Sequence, residues 1–136
     1  NLPEAAILLG SSIAKSEEDM IYQGKALLNL GSKSILMKGG HSEGITSNDL
    51  LVTENNYVWF NERRINTKNT HGTGCTLSSS IASFLAKDYS VEEAVSKAKK
   101  FVTNAIRNSK NLSVGKGHGP TNHFYALEGS NKIIGE

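Results

Sequence analysis

The chain carries one cysteine, Cys75, and two prolines among 136 residues. A lone thiol excludes an internal disulfide framework and favours a reducing compartment. Low proline content, with 38% hydrophobic and 21% charged residues, excludes a disordered or low-complexity polymer. An excess of either charge is also missing. The formal balance is +2, which gives no basis for a nucleic-acid or anionic-membrane partner. No apolar stretch approaches the roughly 20 residues that a membrane helix needs. The sequence opens on Asn1 with neither an initiator Met nor a signal-peptide pattern, so a large part of the parent protein is expected to be absent. No internal repeat, linker or charge block interrupts the chain, and its length suits one unit.

What is present alternates helix and strand patterns. Pro3 suits a first helical turn, and the apolar run from Ala5 to Leu9 closes at Gly10. Ser16 followed by Glu17, Glu18 and Asp19 predicts a capped helix start, because carboxylates favour the positive end of the helix dipole. Met20, Ile21, Leu27 and Leu28 keep helical spacing, and Gly31 supplies a stop. Ile35-Leu36-Met37, ending at Gly39-Gly40, has the continuous apolar character of a buried strand in a parallel sheet. The runs 49–52 and 57–60 flank Glu54-Asn55-Asn56 and predict a hairpin. From Thr76, residues Leu77, Ile81, Phe84 and Leu85 repeat on one helical face, with small residues between them for close packing against a sheet. Ser90 and Glu93 form a capping box, and Val91, Ala94, Val95, Ala98, Phe101, Val102, Ala105 and Ile106 trace one apolar stripe behind it. The class is therefore α/β. About three strands are visible, fewer than a usual α/β sheet holds.

Three glycine-rich segments carry the candidate chemistry. In Asn69-Thr70-His71-Gly72-Thr73-Gly74-Cys75-Thr76, two glycines directly precede a helix. Glycine permits close backbone approach and positive φ, and a helix N-terminus offers unpaired N–H groups to an anion such as phosphate. The spacing is not that of a P-loop. From spacing alone, an ordinary glycine turn capped by Thr76 is the commoner case. Cys75 has the options of base, nucleophile or anion-hole member, or of a small buried hydrophobe. His71, four residues earlier, raises a Cys–His pair without an orienting third group. Lys38-Gly39-Gly40-His41 follows a strand, at the end where ligands gather in open α/β sheets. Gly115-Lys116-Gly117-His118-Gly119-Pro120, with His123 behind it, reads as a surface loop or a closure over a ligand. The spacing of the four histidines and the cysteine fits no standard zinc arrangement.

Taken in order, Asn1-Leu2-Pro3-Glu4-Ala5, Met37-Lys38-Gly39-Gly40-His41, Thr70–Thr76, Gly115–Pro120 and Asn122-His123-Phe124 resemble the hydroxymethylpyrimidine/phosphomethylpyrimidine kinases of the ribokinase superfamily. The resemblance runs from residue 1 to about 125. It implies the C-terminal part of a ribokinase-like three-layer α/β/α sandwich, with residues 1–136 the C-terminal portion of a single kinase domain whose N-terminal half is absent. It implies ATP and Mg²⁺ as cofactors, a small-molecule pyrimidine substrate in thiamine biosynthesis, a cytoplasmic enzyme and a homodimer when full-length.

By the same resemblance, Asn1 and Glu4 organise Mg²⁺. Lys38, Gly39, Gly40, His41, Asp49, Thr73 and Gly74 surround the nucleotide. Lys38 neutralises phosphate charge, while Gly72, Gly74 and Cys75 hold the transferring phosphoryl group. Many superfamily members carry Asp as base where this chain has Cys75, so the thiol's part, base or anion hole, stays open. The competing readings are a pyridoxine or pyridoxal kinase, a non-catalytic nucleotide-binding fragment, and a cysteine hydrolase built on Cys75 and His71. Residues 1–136 alone are expected to be inactive.

Overall fold

Asn1 sets the first helix, α1 (Leu2–Leu9). Its side chain accepts the Glu4 N–H at 2.9 Å, and Glu4 reaches back to the Asn1 nitrogen, completing a capping box. Gly10 ends α1 at φ 60°, a left-handed position that glycine adopts without a Cβ clash. The same device starts α2 (Glu17–Leu28). Ser16 accepts from the Asp19 N–H, and the Asp19 carboxylate accepts from the backbone N–H groups of Lys15 and Ser16. Those bonds hold the Asp19 carboxyl below the usual range.

The computed structural model describes residues 1–39 and 46–127, and it divides into two compact units, the first Asn1–Arg64 and the second beginning at Ile65. In the first unit, strands β1 (Ser34–Lys38), β2 (Thr46–Thr53) and β3 (Tyr57–Arg63) form a sheet in that order, and α1 and α2 pack on it and on each other. The β2–β3 hairpin turns at 54–56 as expected, closed by the Thr53 N–H to the Asn56 carbonyl.

The parallel pairing expected of β1 does not occur among the described residues. β1 runs antiparallel to β2, with Met37 opposite Leu50 and Lys38 opposite Asp49. Only residues 39–45 separate the two strands, whereas a parallel crossover needs about a dozen or more. A continuous apolar run reports burial on both faces; it does not encode the direction of a neighbour.

The core of this unit gathers Leu2, Ala5, Met20, Leu27, Met37, Leu50 and Val52. Full burial of each large side chain here contributes roughly 1.5–3 kcal/mol. Gly24 lets α2 approach the sheet, since a Cβ there would lie 2.7 Å from Val52 Cγ2. Gly39 serves the same purpose at the end of β1, where a Cβ would collide with the Asn48 carbonyl. Gly39→Ala is therefore expected to destabilise the unit by about 1–3 kcal/mol, read as a lowered thermal midpoint.

In the second unit, α3 (Thr73–Leu85) packs on α4 (Val91–Arg107), which runs into a short 3-10 turn at Asn108–Asn111. The Ser90–Glu93 capping box and the apolar stripe of α4 form as expected, with Ala94, Val95, Ala98, Val102 and Ala105 buried. The hydroxyl and amide of Ser90 hold the Glu93 carboxyl below its ordinary value. The start of α3 differs from the expected Thr76 cap. The helix begins at Thr73, with Gly72 as its N-cap at φ 81°. The Thr76 hydroxyl instead donates to the Gly72 carbonyl at 2.8 Å.

Candidate functional site

In the first unit, the expected residues meet in two groups. Asn1 and Glu4 stand together through the capping box. Glu4 Oε2 lies 2.9 Å from the chain's amino nitrogen, while the Glu4 side chain stays 69% exposed. The hydrogen bond to the Asn1 nitrogen holds Glu4 below the ordinary glutamate range, and Lys38 adds a smaller pull the same way. Lys38, half-buried at the end of β1, thus lies within electrostatic reach of Glu4 without an ion pair to it. Asp49 is buried, and its carboxylate accepts the Gly39 N–H at 3.0 Å. It therefore shapes the end of β1 through Gly39. Gly40 and His41 lie outside the described residues.

As metal donors, Asn1 and Glu4 are unequal. The Asn1 amide oxygen already accepts the Glu4 N–H, whereas Glu4 keeps an exposed carboxylate. Among the described residues no cluster of three His, Cys, Asp or Glu side chains exists. One exposed carboxylate suits a hard cation that takes its other ligands from water and phosphate.

In the second unit, the glycine turn and the helix start form one feature. Gly72 offers no side-chain cap. The Thr73 N–H folds back to the Thr70 carbonyl at 3.3 Å, while the amides of Gly74 and Cys75 have no partner among the described residues. Unpaired donors at the positive end of a 13-residue helix form an anion-binding geometry. Cys75 is exposed, on the first turn. His71 makes no hydrogen bond to it. The His71 backbone N–H instead donates to the Gly119 carbonyl at 3.1 Å, in a parallel bridge to Pro120. The pairing that a cysteine hydrolase would need is therefore not formed.

The bridge explains the third glycine segment. A Cβ on Gly119 would collide with the Asn69 side chain, and His118 Nδ1 lies 3.3 Å from the Lys68 carbonyl. Asn69 in turn donates to the Ser109 carbonyl at 2.6 Å and the Leu112 carbonyl at 3.2 Å. The loop is thus fixed to the segment that leads into α3. Sequence reasoning noticed His123 but gave it no role. In the structure its Nε2 lies 2.8 Å from the Thr76 hydroxyl. Cys75, Thr76, Ser79, Ser83, Phe101 and His123 line an open hollow of about 460 Å³ beside α3. No sequence signal could have paired residues 76 and 123, because their contact depends on how the chain returns after α4.

Mixed helices and sheet, with a glycine-fronted helix start, give a fold shared with kinases of the ribokinase-like type. The comparisons bear this out. The family model described as phosphomethylpyrimidine kinase matches residues 1–122, and the chain belongs to that family. It is 48% identical to the hydroxymethylpyrimidine/phosphomethylpyrimidine kinase of Salmonella typhimurium and 44% identical to that of Escherichia coli, each over 93% of this chain and 47% of the relative. The chain spans about half the length of the curated relatives it matches. Among solved structures, it superimposes on Bacillus subtilis pyridoxal kinase in an ADP complex with a TM-score of 0.84 and 32% identity, over 94% of this chain and 49% of that one. For Staphylococcus aureus pyridoxal kinase in complex with AMP-PCP and pyridoxal, the TM-score is 0.83 and the identity 29%, over 98% and 48% of the two chains.

Proposed function

We propose that residues 1–136 form the C-terminal portion of a single ribokinase-like kinase domain, and that the full-length protein phosphorylates 4-amino-5-hydroxymethyl-2-methylpyrimidine and then its monophosphate with ATP, in thiamine biosynthesis. The observation that carries this reading is the start of α3, where unpaired amides of Gly74 and Cys75 follow an N-cap glycine with positive φ. In phosphoryl transfer the protein contributes mainly positioning and electrostatic stabilisation. Donors fixed before the reaction supply both. Gly72, Thr73, Gly74 and Cys75 hold the transferring group, and the Thr73 hydroxyl, bonded to the Thr70 carbonyl at 2.6 Å, keeps the turn in place. Lys38 is assigned to neutralising phosphate charge and Gly39, Gly40 and His41 to nucleotide binding, with Asp49 fixing the Gly39 amide.

Mg²⁺, when bound, neutralises phosphate oxygens. Glu4 would hold it, with water and phosphate supplying the other ligands, and Asn1 would act by orienting Glu4. Cys75 supplies an amide to the anion hole and a thiol that can serve as base toward the substrate hydroxyl. The enzyme works in the cytoplasm as a homodimer.

The pyridoxal kinase reading is favoured by the solved structures at 29–32% identity, and the pyrimidine reading by curated relatives at 44–48%. Assay of the full-length protein with each substrate decides between them. Pyrimidine-dependent ADP release at least about tenfold above that with pyridoxal in kcat/KM, a difference of about 1.4 kcal/mol, is expected. The reverse order would overturn the substrate assignment. Nucleotide binding without transfer to either substrate would favour a non-catalytic module. The 136-residue chain alone is expected to show no turnover.

A further inference from the structure

We infer that His123 is a positioning residue for the phosphate-holding turn, acting through Thr76 on the peptide that caps α3. The inference rests on the kinase reading for its catalytic consequence, though the contact itself stands on the geometry. The Thr76 hydroxyl has one proton and two neighbours, the Gly72 carbonyl at 2.8 Å and His123 Nε2 at 2.8 Å. A carbonyl can only accept, so the hydroxyl donates to Gly72 and the ring nitrogen donates to the hydroxyl oxygen. This assigns the Nε2–H form to His123 and makes a relay of donors, from His123 to Thr76 to the Gly72 carbonyl.

That carbonyl also accepts the Thr76 N–H at 2.9 Å. Both donors to the cap peptide thus come from one residue, and His123 holds the side chain of that residue. Gly72 has no side chain of its own to fix the turn, so its orientation depends on what grips its carbonyl. The amides of Gly74 and Cys75 follow from that orientation.

His123 is itself well anchored. Just before it, Thr121 and Asn122 are buried. The Asn122 N–H donates to the Ala105 carbonyl near the end of α4 at 3.0 Å, and the Asn122 side chain accepts the Phe124 N–H at 3.0 Å. Thr121 Oγ1 lies 3.3 Å from the same ring nitrogen. The ring is exposed, so burial does not explain its placement. It contacts Thr76 at the start of α3 directly, while the residue before it is fastened to α4.

The test uses the full-length protein with His123→Ala, His123→Gln and Thr76→Val. Loss of the relay is expected to lower kcat about tenfold in His123→Ala, with KM for ATP changed less than about twofold, because a misplaced turn weakens the transition state more than the ground state. His123→Gln keeps a side-chain N–H donor and is expected to recover most of kcat. The Thr76→Val/His123→Ala double variant should lose no more than the greater single loss, as members of one relay do. A readout independent of turnover is amide hydrogen exchange, in which the Thr76 amide should exchange faster in His123→Ala while the amides of central α4 stay unchanged.

Unchanged kcat and unchanged exchange in His123→Ala, or additive losses in the double variant, would overturn the inference. If His123→Ala does not fold, Thr76→Val alone carries the same kcat and exchange criteria. A wild-type protein that transfers phosphate to neither substrate defeats the kinase reading instead, and the exchange result then decides the relay by itself.

Discussion

Replacing Cys75 with alanine is expected to lower phosphoryl transfer by the full-length protein about 10²-fold, or about 2.7 kcal/mol of barrier. The substitution separates the two contributions of this position. Alanine keeps the backbone N–H at the first turn of α3 and its helix propensity, so the anion-binding geometry survives. Only the exposed thiol is removed. The residual rate then measures what Gly72, Gly74 and the Cys75 amide achieve without a proton acceptor. If Cys75 is the base, the loss measures proton removal from the substrate hydroxyl. A rate within about threefold of wild type would assign Cys75 to the anion hole alone, since general-base catalysis is typically worth 10²–10⁴-fold. Affinity for ADP should change little, because the variant retains the backbone amides at the start of α3.

Lys38→Ala is the second large effect, expected to reduce kcat about 10²–10³-fold, in the range seen on removing one preorganised donor to a charged transition state. The side chain sits at the end of β1, opposite Asp49 in the register and next to Gly39. Its backbone is held by the ladder whatever side chain it carries, so stability should fall far less than activity. A physical readout accompanies the kinetic one. Lys38 helps to hold Glu4 below the usual glutamate range. Its removal should move the Glu4 titration upward, toward the ordinary value, as followed by NMR of the carboxyl carbon. Activity near wild type together with an unmoved Glu4 would show that this lysine faces solvent, away from the phosphates.

Much of this protein was legible in one dimension. The Ser16 cap and the Ser90 capping box appear in the sequence because capping depends on residues three apart, and both form. The apolar stripe of α4 is buried as its 3.6-residue period requires. The 54–56 hairpin follows from a polar turn between two apolar runs. In each case the interaction that decides the structure lies within a few residues of itself.

Elsewhere local pattern pointed two ways. Asn1-x-x-Glu4, expected to organise a cation, is first of all a capping box, and the same spacing serves both purposes. The α3 start was displaced from Thr76 to Thr73, because a glycine N-cap leaves no side-chain signature for sequence reading to find. The Cys75–His71 pairing failed for a related reason. His71 lies before the helix, where its backbone is drawn to Gly119, while Cys75 lies within it.

By itself, the sequence determined the α/β class, the helix boundaries at capped ends, the family resemblance and the residues that carry its motifs, since all of these depend on neighbours in the chain. The tertiary structure alone decided the antiparallel direction of β1, the burial of Asp49 against Gly39, the fastening of the 115–120 loop to Asn69, and the meeting of Thr76 with His123. These are contacts between segments 10 to 50 residues apart. They depend on which surfaces the chain buries together, and no local periodicity records that.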